Sequence, residues 1–521
     1  ERAVARLWQA RERDEPVVVF GDYDVDGVTA TALLLEVLRP LGWRVEAYLP
    51  HRLEEGYGLT LEAAANCLCR YSARLILAVD CGSGAQETIA WLRDRGVDVI
   101  VLDHHQITVS PPSAAAVVNP HLRRAEAGEN GELCSVGLAF KLAHALLKRG
   151  RELKQPWVTQ VDLRTTLDLV ALGTIADLAP VLGENRILTK AGLERLNRLH
   201  RKGLLALRDV AQISGVIGPY EVAFQLGPRL NAAGRMETAT DALELLLTGD
   251  TAQAVLLARA LDSRNRERQQ IERRMLVEVM ETVGAKFDAE RDCVIVEGNA
   301  RWHVGVVGIV ASRVQQEFHR PAIIFGGDGA ELRGSGRSIE GFDLAGALRV
   351  CGDLLLRYGG HAMAAGVTIR PENLHTVRGR LNEIARQQID PEQLRPVLRL
   401  ESVVPLSALT LEQIRQLDRL QPCGSQNPFP QFAVGRLRLR GMPQPIGRDR
   451  QHLKFLVTDG HHVVEVVWWA WAEQPVPSGT FDLACVPQIN RYNQRCAVQL
   501  KLLDWRPAHP RAEVQSAQNR L

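Results

Sequence analysis

The chain has 521 residues and a mass of 57.7 kDa, enough for about three or four domains. Its apolar fraction of 46% and charged fraction of 24% exclude a collagen-like, disordered or coiled-coil chain. Because 63 Lys and Arg residues nearly balance 61 Asp and Glu residues, a nucleic-acid-binding surface would require local segregation of charge. No apolar segment approaches the roughly 20 residues that span a bilayer, so we expect no membrane association.

The first part of the chain alternates short apolar runs with helical segments. We predict strands at 17–20, 45–49, 75–79, 99–102 and 116–118. Continuous apolar strands separated by helices are typical of a parallel sheet that is buried on both faces. The sequence therefore predicts an α/β fold for this region.

A long charged helix is predicted at 251–283, where six arginines are interspersed with acidic residues and neither Gly nor Pro occurs. The simple interpretation is a solvated helix with ion pairs between residues four apart. The alternative is a basic helix that connects two domains.

A second, smaller α/β unit follows this helix, with strands predicted at 293–296, 322–325 and 366–369. The segment 387–396 resembles a linker and a helix is predicted at 410–420. Beyond it, five β-like runs begin near residues 432, 453, 463, 481 and 496. Five short strands within about 80 residues favour a small β-barrel of the OB type.

Acidic and imidazole side chains follow four separate segments of the first unit. They are Asp22, Asp24 and Asp26 after the first strand, Asp80 after the third, Asp103, His104 and His105 after the fourth, and Asp177 after the helical stretch 167–176. In open α/β sheets, ligands bind at the carboxyl ends of the strands. We therefore expect these side chains to converge at one edge of one sheet.

Several carboxylates at one edge repel each other unless a cation neutralises them. Oxygen-rich ligands with one or two imidazoles suit Mg²⁺ or Mn²⁺, and five or six ligands suffice for two ions, which is the usual apparatus for hydrolysing phosphate esters. An EF-hand is disfavoured because the twelfth position from Asp22 holds Leu33 instead of Glu. A helix cap with a packed His is the simple alternative for Asp103-His104-His105.

These motifs, in this order, resemble those of the DHH phosphoesterase superfamily, which is named after the Asp-His-His sequence. The second unit resembles the DHHA1 domain at 302–311, 334–338 and 358–366. The barrel and the preceding segment 421–428 are similar to the third domain of the RecJ family of single-stranded-DNA-specific exonucleases. The resemblance covers nearly the whole chain.

The resemblance implies a set of metal ligands and catalytic residues. One ion would have four ligands: Asp26, Asp80, His104 and Asp177. The other would be held by Asp24 and by Asp80, which bridges both ions. Asp22 would replace a His that many superfamily members carry where Phe20 stands here. Asp80, His104 and His105 would be catalytic, and His105 would stabilise the charge that develops on the scissile phosphate.

The resemblance also implies a pocket for a 5′-terminal phosphate, formed by Arg235, Ser335 and Arg337. The arginine fork matches phosphate geometry, and Gly-rich turns let backbone N–H groups approach it. The simple alternative for the Gly-Ser-Gly-Arg segment is a surface loop. His303 and His361 are either phosphate contacts or buried structural histidines.

In the barrel region, Arg436, Arg438 and Arg440 alternate and should share one face of a strand. Trp468 and Trp469 follow. Basic strands with aromatic side chains are typical of single-strand binding by charge neutralisation and base stacking. The alternative is that the tryptophans fill the barrel core.

The resemblance implies five segments: a DHH catalytic domain at 1–245, a connecting helix at 246–285, a DHHA1 domain at 286–390, an OB-like nucleic-acid-binding domain at 391–510 and a tail at 511–521. The implied activity is a 5′→3′ exonuclease that hydrolyses single-stranded DNA with two Mn²⁺ or Mg²⁺ ions and releases 5′-mononucleotides in DNA repair and recombination. The alternatives are a small-substrate DHH enzyme, such as an oligoribonuclease or cyclic-dinucleotide phosphodiesterase, and a non-catalytic binding protein.

The resemblance further implies single-strand-binding protein and a RecQ-type helicase as partners, and a monomer. The nine scattered cysteines lack metal-knuckle spacing and indicate reduced thiols, as in the cytoplasm. Because the chain opens without Met, we expect that its N-terminus has been trimmed.

Overall fold

The computed structural model describes residues 1–52, 54–107, 110–123, 132–198, 200–327, 329–447, 449–471, 474–492 and 495–508. The predicted tail at 511–521 lies outside these residues. The chain forms two compact units, Glu1–Pro396 and Val397–Leu521. None of the nine cysteines forms a disulfide with another residue that the structure describes. Among the described helices, none is long and apolar enough to cross a membrane.

The first sheet consists of five short strands, β1 (Val17–Gly21), β2 (Val45–Tyr48), β3 (Leu75–Val79), β4 (Asp98–Leu102) and β5 (Ala116–Val118). All are parallel, in the order β2-β1-β3-β4-β5. β1 and β3 are buried at every position, as expected for a sheet covered on both faces. The strands predicted from the sequence are confirmed. The next two strands of the chain lie on opposite sides of β1, β2 on one side and β3 on the other. This reversal of strand order is a topological switch point, where open α/β sheets usually bind ligands.

Helices of the first unit pack on both faces of this sheet and on one another. They are α1 (Arg2–Glu12), α2 (Val25–Leu38), α3 (Leu61–Arg70), α4 (Gln86–Arg93), α5 (Ser135–Glu152), α6 (Leu167–Ala176), α7 (Gly183–Leu196), α8 (Lys202–Val210), α9 (Pro219–Glu221), α10 (Gly227–Met236) and α11 (Thr240–Leu247). A π-helical turn, Val222–Leu226, joins α9 to α10. In α2 every residue except Glu36 is buried, so this helix is central to the unit.

Helix α12 (Thr251–Gly284) confirms the long helix predicted at 251–283 and belongs to two hydrophobic cores. Ala258 lies in the core of the first sheet, whereas Val279 lies in a core with the second. Arg268 is only 8% exposed and pairs with Glu272 at 2.6 Å. The helix therefore connects two modules, and the solvated-helix interpretation is wrong for its buried face.

The second module contains β6 (Ile295–Gly298), β7 (Ala322–Gly327), β8 (Leu332–Arg337), β9 (Leu355–Gly360) and β10 (Ala364–Ile369), with helices α13 (Val307–Phe318), α14 (Leu344–Val350) and α15 (Leu374–Gln388). The sheet order is β6-β7-β8-β10-β9, and only β6 and β7 are parallel.

The surface-loop alternative for the Gly-Ser-Gly-Arg segment is wrong, and the segment does not form a turn. The segment lies in β8, antiparallel to β7 and β10. A Cβ at Gly334 would lie 2.5 Å from Phe325, and one at Gly336 would lie 2.5 Å from Leu344. The glycines are therefore required for close packing within a sheet.

The C-terminal unit is a closed barrel. It contains β11 (Ser402–Val403), α16 (Leu411–Leu417), β12 (Phe432–Ile446), β13 (His452–Thr458), β14 (Val463–Trp468), β15 (Phe481–Tyr492) and β16 (Arg495–Pro507). Strands pair in the order β12-β13-β14-β16-β15, and β15 pairs again with β12. The OB-like barrel predicted from the five β-like runs is confirmed.

The barrel separates its basic and aromatic side chains by environment. Arg436, Arg438 and Arg440 are all exposed, as their alternation predicts. Trp468 is part of the core, which agrees with the simple interpretation, whereas Trp469 is 48% exposed. One tryptophan is thus structural and its neighbour is available to a ligand.

Candidate metal centre and phosphate-binding cleft

The loop between β1 and α2 is held from two sides. A Cβ at Gly27 would lie 2.5 Å from the carbonyl oxygen of Asp22, so only glycine permits this tight return. From α10, the Oδ1 atom of Asn231 accepts a hydrogen bond of 3.0 Å from the N–H of Val25. Asp24 caps α2 by accepting from the N–H of Gly27. The loop therefore presents its carboxylates in one fixed arrangement.

The structure brings all six predicted metal ligands together at the carboxyl edge of the first sheet. Three sets of ligand atoms each lie within 4.8 Å of one another: Asp22 with Asp24 and Asp80, Asp26 with His104 and Asp177, and Asp80 with His104 and His105. The Nε2 atom of His104 lies 3.3 Å from Asp80 Oδ1 and 3.4 Å from Asp177 Oδ2. Asp80 thus lies between the other two groups of ligands.

The electrostatics of this cluster favour a bound cation. Burial, and then neighbouring carboxylates, raise the pKa of Asp22, Asp80 and Asp177. Burial likewise raises the pKa of Asp26 to about 6 and lowers that of His104 to about 4. Each shift reports the cost of placing charge here without a counterion.

Two buried atoms of the cluster, Asp22 Oδ1 and His104 Nε2, have no hydrogen-bond partner among the described residues. Such atoms are costly unless they bind something. Carboxylate oxygens with one imidazole form the donor set preferred by Mg²⁺ and Mn²⁺. The residues present therefore fit divalent cations.

Two of the carboxylates are oriented by the start of α5. Asp26 accepts hydrogen bonds from the backbone N–H groups of Ser135 and Val136, at 2.6 and 2.8 Å. The hydroxyl of Ser135 donates to Asp80 Oδ1 at 3.0 Å. Asp80 itself adopts a φ of +63°, a strained conformation for a non-glycine residue that costs about 1–3 kcal/mol. Strain of this kind is typical of functional positions.

His105 is positioned by Asp103. Its Nδ1 atom donates to Asp103 Oδ1 at 2.7 Å, and Asp103 also accepts from the N–H groups of His105 and Ser83. Burial opposes the cationic form, but the hydrogen bond to Asp103 and the negative charges of Asp103, Asp177 and Asp24 together outweigh it and raise the pKa of His105 to about 9. The ring of His361 stacks on that of His105 at 5.5 Å. A cationic imidazole therefore faces the second module across a cleft.

The residues predicted to bind a terminal phosphate also lie together. Arg337 donates to Ser335 Oγ at 2.9 Å, and Arg235 donates to the carbonyl of Gly305 at 3.2 Å. His303 lies beside them, since its Nδ1 atom accepts from the N–H of Gly305 at 3.1 Å. His303 and His361 are thus both at the cleft, and both keep hydrogen-bonding or stacking contacts within the protein.

The charge in this part of the cleft is strongly positive. Burial, followed by repulsion from Arg52, Arg268 and Arg337, lowers the pKa of Arg235 to about 9. Arginines hold such a low pKa only where they are desolvated beside other cations. An anion bound here would relieve the repulsion.

Three of these cleft residues were missed by the sequence analysis: Arg52, Tyr57 and Arg268. The hydroxyl of Tyr57 lies 2.9 Å from His105 Nε2, and Arg52 lies over the ring of Tyr23 at 5.1 Å. The loop that carries Arg52 and Tyr57 is anchored by Glu55, which accepts from Tyr48, His51 and Asn66. Their position in the sequence could have indicated them, because this Gly-containing loop follows β2 at the sheet edge where the predicted metal ligands lie.

Comparison with known proteins identifies three regions of the chain. Residues 16–174 match the DHH family N-terminal domain, residues 291–387 the DHHA1 domain and residues 400–504 the RecJ OB domain. The chain is 38% identical over 512 residues to the single-stranded-DNA-specific exonuclease RecJ of Bacillus subtilis, covering 97% of this chain and 63% of that protein. It is 39% identical to RecJ of Dickeya dadantii over 475 residues, covering 88% of this chain and 80% of that protein.

Solved structures show the same architecture. Crystal structures of RecJ from Thermus thermophilus in complex with Mn²⁺ and with Mg²⁺ superpose with TM-scores of 0.82 and 0.76, at 33% and 31% identity. Both alignments cover 98% of this chain, and 71% and 70% of the Thermus chain. The DHH, DHHA1 and OB-like parts of the present structure therefore have counterparts in one known protein.

Proposed function

This chain belongs to the RecJ family of metal-dependent, single-stranded-DNA-specific exonucleases, and from that premise we propose that it removes 5′-mononucleotides one at a time from the 5′ end. One observation carries the proposal: a cluster of six metal-ligand side chains and a pocket of arginines face the same cleft. The closed barrel and its match to the RecJ OB domain disfavour the small-substrate alternative.

We propose that the cluster holds two divalent cations, Mn²⁺ or Mg²⁺. One has four ligands: Asp26, Asp80, His104 and Asp177. Asp22 and Asp24 hold the other, and Asp80 bridges the pair, as its position between the two groups of ligands suggests. When bound, such cations supply an activated water and neutralise charge on the phosphate.

The chain's own side chains then position the substrate. His105, kept cationic by Asp103, stabilises negative charge on the scissile phosphate, and its Nε2–H exchanges the Tyr57 hydroxyl for a phosphate oxygen when the strand binds. His361, stacked against His105, limits the tilt of that ring and adds an N–H to the same region. Because the two imidazoles come from separate modules, a phosphate beside them contacts both modules at once.

In this proposal, the pocket formed by Arg235, Ser335 and Arg337 determines the direction in which the strand is digested. Arg235, Ser335 and Arg337 bind the terminal 5′-phosphate, with His303 and Arg52 beside them. A strand anchored by its end presents the same bond to the metal centre after every cut. Release of mononucleotides in the 5′→3′ direction is the expected consequence.

We propose domain limits of 1–245, 246–285, 286–390 and 391–510 followed by a tail, limits within which the three matched regions lie. The exposed arginines of β12 in the barrel bind single-stranded DNA. Family membership supports action in DNA repair and recombination in the cytoplasm, as a monomer that works with single-strand-binding protein and a RecQ-type helicase.

Digestion of end-labelled strands tests the proposed direction. With Mn²⁺, a 5′-labelled single strand should lose its label at once as mononucleotide, while a 3′-labelled strand should shorten through a ladder. The same reactions in EDTA serve as the control. A ladder from the 5′-labelled strand, with immediate release of a 3′ label, would exclude the proposal.

A further inference from the structure

A groove of about 410 Å³ lies between α10, α12 and α13. Its walls include Arg235, Arg268, Arg273 and Arg313, together with Glu272 and the aromatic ring of Phe224. This volume lies within the range of about 300–1,000 Å³ that is common for small-ligand pockets. The groove is distinct from the metal centre, since none of the metal ligands lines it.

The groove carries an excess of positive charge. Four arginines line it against one glutamate, and that glutamate already pairs with Arg268 at 2.6 Å. Arg273 and Arg313 are exposed, and within the described part of the chain neither has a carboxylate at ion-pairing distance. The guanidinium groups of Arg273 and Arg313, at the outer part of the groove, are therefore available to bind an anion.

The inner end of the groove reaches the terminal-phosphate pocket. Arg235 lines the groove and also belongs to the pocket. Ile309, another lining residue, follows Gly308, where a Cβ would lie 3.0 Å from Ser335 Oγ and 3.2 Å from Arg337. The pocket therefore continues into a basic passage toward Arg273 and Arg313.

We propose that this groove binds the additional phosphates of a strand whose 5′ end carries a di- or triphosphate. The terminal pocket would hold the phosphate attached to the sugar, and the next phosphates would extend along Arg268, Arg273 and Arg313. A linear chain of phosphates matches spaced guanidinium groups, each of which can form paired, charge-assisted hydrogen bonds. The inference rests on the proposed function, because it needs the terminal-phosphate pocket.

The test compares three single strands of one sequence that end in 5′-hydroxyl, 5′-monophosphate or 5′-triphosphate. Binding is measured by fluorescence anisotropy in EDTA with the full chain, so that no strand is digested. The parent should bind the triphosphorylated strand about tenfold more tightly than the monophosphorylated one. The double variant Arg273→Gln/Arg313→Gln should lose this gain and keep its affinity for the monophosphorylated strand.

Arg274→Gln is the matched control, because Arg274 is an exposed neighbour on the same helix and does not line the groove. It should retain the parent's preference. Equal affinity of the parent for mono- and triphosphorylated strands, or a preference that survives in the double variant, would overturn the inference. If the parent also fails to digest the monophosphorylated strand from its 5′ end in Mn²⁺, the proposed function itself has failed.

Competition with inorganic tripolyphosphate shows whether the groove binds strand ends alone or free oligophosphates as well. Displacement of the monophosphorylated strand that depends on Arg273 and Arg313 would support entry of free chains into the same groove. Displacement that is equal in the parent and the double variant would assign the groove to strand ends, provided that the triphosphate preference is observed.

Discussion

At the residue scale, Asp80 combines three properties: a buried carboxylate, a left-handed backbone and a position between two groups of ligands. We predict that Asp80→Ala abolishes hydrolysis because both ions would lose a shared ligand. Binding of single-stranded DNA should persist, since the arginine pocket and the barrel are unchanged. Paired nuclease and filter-binding assays measure the two effects.

Asp94→Ala, a change at an exposed acidic residue, is the control for the Asp80 experiment and should leave both properties intact. Loss of an essential catalytic group commonly costs several orders of magnitude in rate. Residual hydrolysis above about one per cent of the parent rate would mean that Asp80 is not the bridging ligand.

Metal binding should stabilise the fold more at pH 7 than at pH 5. In the metal-free protein, burial raises the pKa of Asp26 from 3.8 to about 6, so the folded state retains a proton that the unfolded state releases. This contribution to stability is present at low pH and is lost as the pH rises toward 6. A divalent cation replaces the proton, so its contribution grows over the same interval.

Thermal unfolding with Mn²⁺ and with EDTA, at both pH values, measures this effect as the shift in melting temperature. The shift should be larger at pH 7, and it should shrink in the Asp26→Asn variant, which cannot release a proton there. A shift that is equal at the two pH values would contradict the assignment of a buried, proton-competitive site.

The convergence of the six proposed metal ligands could be predicted because each lies within a few residues of the end of a strand or a buried helix at one sheet edge. Arg52 and Tyr57 could not, since the loop between β2 and α3 has no periodic pattern to indicate where its side chains lie. Arg268 could not be predicted for a different reason. Charged residues at i and i+4 usually lie on a solvated face, but Arg268 lies on the face of α12 that packs against both modules.

At the element scale, β8 delivers Ser335 and Arg337 to the cleft from a rigid sheet. We predict that Arg337→Ala weakens use of 5′-phosphorylated strands by about ten- to hundredfold, which corresponds to one lost charged hydrogen bond. Strands with a 5′-hydroxyl should be affected much less. Steady-state kinetics on both kinds of end measure the difference.

Arg349→Ala is the control, since Arg349 is an exposed arginine of the same module. Arg235→Ala should reproduce the defect of Arg337→Ala. If neither variant changes the kinetics on phosphorylated ends, the pocket has been assigned to the wrong residues.

The elements differ in how well their sequence marks them. The barrel strands alternate apolar and polar residues and were predicted close to their observed positions. The glycines of β8 are compatible with a turn or loop from the sequence alone, but in the structure they permit close packing and do not reverse the chain. Helix α10 contains Gly227, Pro228 and Gly234, which disfavour helix formation. It forms because Asn231 and Gly234 dock on the loop between β1 and α2, a tertiary contact that local sequence does not reveal.

At the scale of the whole molecule, the chain divides after Pro396 into two units, each with its own hydrophobic core. We predict that deletion from Val397 onward weakens binding and makes it less dependent on salt. The exposed arginines of β12 are lost, and each phosphate contact contributes about 0.7 to the salt slope for single strands. Affinity measured over a series of salt concentrations gives this slope directly.

The truncated chain should still prefer single strands, because the metal centre and the arginine pocket remain in Glu1–Pro396. Digestion of single-stranded, 5′-overhang and blunt duplex substrates measures that preference. Equal digestion of blunt duplex and single strands by the truncated chain would place the selectivity in the barrel.

Helix α12 has a consequence for how the catalytic unit unfolds. Its 34 residues extend for about 50 Å without a Gly or Pro inside the helix before its last residue, and they contribute to the cores of both modules. Separating the two modules would expose apolar side chains of one continuous helix, so the loss of one core destabilises the other. Calorimetry should therefore record a single cooperative transition for residues 1–396, because α12 couples the unfolding of the two modules.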